Sequence, residues 1–194
     1  MKKIIFACVI IILISGICLV SCDNSSNTPT TSGTDNNLNN DVEYSQGLEF
    51  RYIEYWEVVD GPTYVLSGIG ECKDKVVYVP NEYNGVPVFA IDDFGLSRCD
   101  FIEEVVLPDS IMYISDRVFE RCTSLTTITI PNTVIGIAPE GLARCPALIN
   151  IIFKGTIDEW LSIEKYSGWD YLTGEYTVYC NDGEIAKDGT ITRK

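Results

Sequence analysis

The stretch Arg121-Cys122-Thr123-Ser124-Leu125-Thr126-Thr127-Ile128-Thr129-Ile130-Pro131 decides the fold. Ile128 and Ile130 alternate with threonines, which is the two-residue period of a half-buried strand. Pro131 ends that strand, because proline has no amide hydrogen to give to a ladder, and Asn132 to Gly136 then turns the chain. A strand so short cannot cover its own apolar side, so the stretch implies neighbours of the same kind.

The sequence supplies them at a period of 23 residues: Arg98-Cys99 recurs as Arg121-Cys122 and again as Arg144-Cys145. The same shift maps Ile91 onto Ile114 and Ile137, Leu96 onto Phe119 and Leu142, and Ile102 onto Leu125 and Leu148. It also maps Val105 onto Ile128 and Ile151, Leu107 onto Ile130 and Phe153, and Pro108 onto Pro131. Nearly every column is apolar and none needs a gap. Stacked coils of this kind bury one continuous ladder at a spacing of about 4.8 Å. Val77-Tyr78-Val79-Pro80 reads as an earlier, partial unit, followed by an inserted loop over Asn81 to Val88. Four strand-forming units are expected, at Val77, Val105, Ile128 and Ile151.

The fold class is therefore a short repeat solenoid, with one strand plus a turn or short helix per coil. Its ends need caps, because an open solenoid exposes its core. Leu48 to Val58, Gly61-Pro62 and Tyr64 to Ser67 read as an entry hairpin. At the exit, Asp158 to about Lys165 reads as a short helix, with Trp160, Trp169 and Tyr171 as aromatic cover. Asp182-Gly183 and Asp188-Gly189 are turn signals.

The pattern Leu-x-x-Ile-x-Ile-Pro, then Ser/Thr-Val/Ile-x-x-Ile, then Phe-x-x-Cys-x-Ser-Leu resembles the BspA-type bacterial leucine-rich repeat. Cys122 to Pro131, with Ser110, Ile111, Ile114 and Phe119, carry the likeness. Tyr64 to Gly70 and Tyr83 to Val88 are similar to that family's entry segment, and Gly155-Thr156, Trp160, Gly168-Trp169 and Tyr176 to Gly183 to its exit segment. Gly141-Leu142 stands where the family usually has Ala-Phe, and Pro139 shortens any helix there. The resemblance implies a surface-displayed module that binds host matrix proteins or other bacteria.

Outside the repeat, Met1-Lys2-Lys3 followed by the apolar run Ile4 to Val20 has the layout of an export signal. Leu19-Val20-Ser21-Cys22 resembles the bacterial lipobox, which implies a diacylglyceryl group on the Cys22 thiol and cleavage before it. An uncleaved transmembrane helix is the alternative, although the run falls just short of the roughly 18–20 residues that span a bilayer. Asp23 to about Gln46 is rich in Asn, Ser, Thr, Asp and Gly and reads as a tether reaching on the order of 25–30 Å. The expected organisation is a signal peptide over 1–21, lipidated Cys22 and tether over 22–47, the capped repeat domain over 48–183, and a tail or hairpin over 184–194. Such a chain belongs in the bacterial cell envelope, lipid-anchored at the outer membrane or cell surface.

Charge narrows the function. The 194 residues hold 28 acids, 14 bases and no histidine, for a formal net charge of −14. Phosphate backbones and anionic headgroups repel such a body, which argues against a nucleic-acid partner. Without histidine there is no Ser-His-Asp or Cys-His pair and no His-ligated zinc. Ser162-Ile163-Glu164-Lys165 matches Ser-x-x-Lys but lacks companion motifs. Gly68-Ile69-Gly70 has no third glycine. Asp92-Asp93 and Glu103-Glu104 are neighbours whose side chains diverge in an extended chain. No enzymatic activity, metal or cofactor is expected.

Three ladders remain. Cys99, Cys122 and Cys145 could suggest metal or redox chemistry, but a ladder column projects into the core, and the five cysteines after Cys22 are an odd number. Buried thiols are the expectation. Arg98, Arg121 and Arg144 set a positive row on an acidic body; the row could engage carboxylated or sulfated glycans, or it could pair with Asp93, Asp116 and Glu120. Finally, if Val105, Ile128 and Ile151 face inward, then Tyr78, Val106, Thr129 and Ile152 form an outward row, with Glu104, Thr127 and Asn150 beside it. This strand face is the expected site for a protein or glycan partner. A structural or assembly role in the envelope is the alternative.

Overall fold

The computed structural model describes residues 44–57 and 59–194; Cys22, the leader and most of the tether lie outside them. In chain order the elements are β1 (Glu49–Ile53), β2 (Thr63–Gly68), β3 (Val76–Tyr78), β4 (Glu82–Tyr83), β5 (Val86–Ile91), β6 (Glu104–Val106), β7 (Tyr113–Ile114), β8 (Thr127–Ile130), β9 (Gly136–Ile137), β10 (Asn150–Phe153), α1 (Ile157–Ser162), β11 (Glu164–Lys165), β12 (Thr177–Cys180), β13 (Gly183–Ala186) and β14 (Ile191–Arg193).

Each coil contributes one strand to each of two sheets. The main sheet runs β3-β6-β8-β10-β12-β13-β14, and the second runs β1-β2-β5-β7-β9-β11 with β4 beside β5. In the main sheet, β3, β6, β8, β10 and β12 pair in parallel, so Val77, Val105, Ile128, Ile151 and Val178 stand in one register. All five are buried, and Val105, Ile128 and Ile151 have no exposed surface. In the second sheet, Ile91, Ile114 and Ile137 form the matching inner column. The core lies between these ladders. This is a leucine-rich-repeat-like β-solenoid of about five turns with little helix.

The number of main-sheet rungs exceeds the four read from sequence. The fifth, β12, pairs in parallel with β10 but follows a longer insertion that carries α1 and β11, and so falls outside the 23-residue frame. Of the second sheet only the entry hairpin and the Ile91, Ile114 and Ile137 column are legible in the sequence, since β7, β9 and β11 are two residues long and show no alternation.

Where a helix was conceivable in each coil, there is a turn. Phe94, Arg98, Arg117, Arg121, Glu140 and Arg144 all adopt left-handed backbone, with φ between 53° and 64°. That conformation costs a non-glycine residue roughly 1–2 kcal/mol and stops a right-handed helix. Inter-coil hydrogen bonds offset it: the Arg98 amide donates to the Glu120 carbonyl at 2.8 Å, Arg121 to Ala143 at 3.1 Å and Arg144 to Tyr171 at 2.7 Å.

The entry cap is the antiparallel pair β1–β2, whose second strand joins β5 in parallel. It begins earlier than the sequence suggested. Ser45, read as tether, is buried; its amide donates to the Tyr78 carbonyl at 3.0 Å and its hydroxyl to the Val76 carbonyl at 3.3 Å, closing the β3 edge. At the exit, α1 starts at a capping box: Thr156 Oγ1 accepts from the Glu159 amide, and the Glu159 carboxylate accepts from the Thr156 amide. The helix is shorter than expected, because Glu164 and Lys165 are taken up as β11 alongside β9. Phe153, Trp160, Trp169 and Tyr176 follow one another in edge-on contacts at 5.3, 6.1 and 6.0 Å between ring centres. Tyr171 is no part of that cover; it is exposed, 5.7 Å from the Arg144 guanidinium. The last residues extend the main sheet as the antiparallel strands β13 and β14.

Candidate functional site

The outer face of the main sheet follows from the pleat. With the Val77-to-Val178 column inward, the next residue of each strand points outward. The register therefore lines up Tyr78, Val106, Thr129 and Ile152, in the order expected from sequence, and adds Tyr179 of β12. Tyr78 is 38% exposed, Ile152 40% and Tyr179 43%, whereas Thr129 is only 8% exposed. Thr129 departs from a simple outward reading because the larger Val106 and Ile152 flank it on both rungs and shade it. The row is thus an apolar strip with a tyrosine at each end and a small polar residue at its centre.

The second row also forms. Glu104, Thr127 and Asn150 are in register, half-buried, and flanked by Val76 and Thr177. Asn150 Nδ2 donates to Thr127 Oγ1 at 3.2 Å, so the amide is held by its rung neighbour. Beside Tyr78 and Val106, a small recess of about 150 Å³ reaches Pro108, Asp109 and Lys154. Lys154 Nζ lies 3.6 Å from Asp109 and puts a cation on the rim of the strip.

The arginine ladder lies at the turn corner, apart from this face. Arg144 is tied to Glu120 at 2.6 Å and to Glu140 at 3.1 Å. Arg121 is 3.6 Å from Glu120, and Arg98 has no ion-pair partner among the described residues. Local pairing therefore holds for part of the ladder, through Glu120 and Glu140. Asp93 and Asp116 serve elsewhere: Asp93 accepts the Asp116 amide at 3.1 Å, and Asp116 lies 3.6 Å from Arg117.

Between the arginines, the cysteine ladder points inward. Cys72, Cys99, Cys122, Cys145 and Cys180 are all buried and unpaired. Cys122 Sγ donates to the Leu96 carbonyl and Cys145 Sγ to the Phe119 carbonyl, each at 3.0 Å. Burial pushes the Cys99 thiol up to about 11 and the Cys145 thiol up to about 12, so neither is a thiolate near neutrality. Among the described residues no His, Cys, Asp or Glu cluster could hold a metal ion. In the Ser-x-x-Lys tetrad, Ser162 Oγ donates to the Glu159 carbonyl at 2.7 Å and Lys165 Nζ to the Trp160 carbonyl at 2.6 Å, so both side chains serve the end of α1.

Comparison with known proteins agrees with the repeat. Residues 90–167 match, in six copies, the BspA type leucine rich repeat region. Over those residues the chain is similar to that repeat family. Solved structures similar to it include the T. pallidum leucine rich repeat protein, at 18% identity and a TM-score of 0.42, over 55% of this chain and 58% of that one. A leucine rich cell surface protein from Faecalibacterium prausnitzii A2-165 is 20% identical with a TM-score of 0.35, over 55% of this chain and 39% of that one. A leucine-rich repeat protein from Bacteroides ovatus ATCC 8483 is 18% identical with a TM-score of 0.32, over 69% of this chain and 40% of that one. The chain thus spans 58% or less of each of these three structures. No curated protein matches it.

Proposed function

We propose that this chain is a lipid-anchored binding module of the bacterial cell envelope that holds a protein partner against the outer face of the main sheet. The observation that carries the reading is the row Tyr78, Val106, Thr129, Ile152 and Tyr179, held in register by parallel strands. Tyrosines are enriched where proteins meet, because the ring buries area while the hydroxyl keeps a hydrogen-bond partner. Side chains fixed on a hydrogen-bonded sheet lose little freedom on docking. Lipidation of Cys22 would anchor the module, and the tether would lift it from the membrane.

A second reading is an assembly component of the envelope. What favours it is β14, an edge strand of the main sheet with all three residues exposed; such an edge can template pairing with another chain.

Detergent-solubilised full-length protein serves as bait against matrix proteins and against envelope extract, with Ile152→Glu and Ile191→Lys as variants. The strand-face reading expects a captured protein that Ile152→Glu loses while circular dichroism stays native. Capture from envelope extract alone, lost on Ile191→Lys and kept by Ile152→Glu, transfers the assignment to assembly through the edge.

A further inference from the structure

We propose that the turn corner carries a second site, a groove for an anionic oligosaccharide, built by the arginine ladder and separate from the strand face. Two ladders form its walls. One is Arg98, Arg121 and Arg144; the other is Asp100, Thr123 and Pro146, which follow the same 23-residue step two positions later in each coil. Leu172 lines it beside Pro146, and the groove is a shallow, open one of about 540 Å³. That volume suits a small ligand or a segment of a chain. The buried cysteine column lies between the two walls in sequence and supplies no side chain to the groove.

The backbone from which the three arginines project is fixed. All three adopt left-handed φ, and each amide is bonded to the next coil. Successive arginines therefore stand about one strand spacing apart, roughly 5 Å. Arg98 and Arg121 are exposed. Arg98 has no ion-pair partner among the described residues, and Arg121 only a loose one at 3.6 Å from Glu120. Two guanidiniums are thus available on a chain whose net charge is −14. A guanidinium fork matches a carboxylate or sulfate in two parallel hydrogen bonds.

The opposite wall decides which anion. Asp100 accepts from Thr123 at 3.3 Å, so this wall offers a carboxylate and a hydroxyl. Those groups suit neutral hydroxyls and repel a densely charged polymer, as does the acidic body as a whole. Pro146 and Leu172 add an apolar end against which a sugar ring face can lie. The fitting occupant has sparse acidic groups separated by hydroxyl-rich rings, such as a uronic acid or sulfated saccharide. An acidic peptide brings only scattered backbone N–H groups to Asp100 and Thr123, where a saccharide brings hydroxyls around each ring.

Full-length protein in neutral detergent is titrated by calorimetry with a trigalacturonate, a sulfated disaccharide, a neutral cellotriose and a triglutamate peptide. The separating variant is Arg98→Asn/Arg121→Asn, because asparagine tolerates the left-handed backbone that both positions require. Wild type is expected to bind at least one anionic saccharide and not cellotriose, with affinity falling as salt rises. The double variant, native by circular dichroism, is expected to lose roughly tenfold or more in affinity, while Ile152→Glu leaves it unchanged. Failure of folded wild type to bind either anionic saccharide overturns the proposal. So does binding that survives in the double variant, and so does triglutamate binding as tightly as the saccharides.

Discussion

The Cys145 thiol donates its hydrogen to the Phe119 carbonyl of the preceding coil at 3.0 Å. The bond needs the neutral thiol, and burial enforces that form: Cys99 and Cys180 are pushed up to about 11 and Cys145 to about 12, from an ordinary 9.0. Cys122 is pushed up as well, by burial first. Above the ordinary thiol value the unfolded chain releases protons that the folded chain keeps, so stability falls as pH rises through that range. Lys165 acts in the opposite sense. Burial pulls it down to about 8 from 10.5, so between those values the unfolded state holds more protons and stability rises with pH. Denaturant midpoints measured under reducing conditions should therefore rise slightly from about pH 8 to 9 and fall beyond, where several thiols outweigh one amine. Lys165→Met should remove the rise and leave the fall. A stability that stays level to the highest of these values would contradict the buried, neutral ladder.

Ile128 stacks between Val105 and Ile151 and has no exposed surface. Its truncation to alanine leaves a cavity in the middle of the ladder, where both neighbours are held by their own coils and cannot collapse into it. The expected loss is about 2–5 kcal/mol. Ile152→Ala, next along the same strand but 40% exposed, should cost about 1 kcal/mol or less. Urea unfolding of the two variants should separate them clearly; equal losses would mean that the inner and outer columns are misassigned.

These two positions also show how much was legible in the sequence. The inner and outer columns could be read because alternation along one strand and repetition every 23 residues give the same answer independently. Thr129 could not be placed as a shaded residue, since its burial depends on the bulk of Val106 and Ile152 rather than on its own character. Tyr179 was missed because the insertion around α1 shifts its coil out of frame. The left-handed turns at Arg98, Arg121 and Arg144 leave no trace in residue type: arginine carries no preference for positive φ, and only the stacking of coils imposes it.

Arg144 bridges Glu120 and Glu140, and Glu120 is itself buried at 8% exposure. Removing the guanidinium leaves a buried carboxylate with only Arg121, 3.6 Å away. A fully buried partner loss costs about 3–5 kcal/mol; Arg144 is one-third exposed, and water can enter, so about 1–2 kcal/mol is expected for Arg144→Ala. Arg98→Ala should be within about 0.5 kcal/mol of wild type. Glu120→Gln combined with Arg144→Ala should recover part of the loss, because the stranded charge is gone. A double-mutant cycle on thermal unfolding measures the coupling, and a coupling of zero would show that the ion pair does not hold the turn corner.

The strand face makes the sharpest distinction between binding and folding. Tyr78 and Tyr179 stand at opposite ends of the outer row and are each about two-fifths exposed. Truncating either removes few core contacts, so stability should change by about 1 kcal/mol or less. If the row is where a protein partner docks, the same truncations remove aromatic anchors whose loss at interfaces costs about 2 kcal/mol or more, roughly thirtyfold in affinity. Thr129→Ser, which keeps the hydroxyl and removes only one methyl group at the centre, should leave both properties near wild type. Affinity for the captured partner and thermal stability are measured on the same preparations. A tyrosine variant that loses affinity only in proportion to its lost stability would place the partner somewhere other than this face.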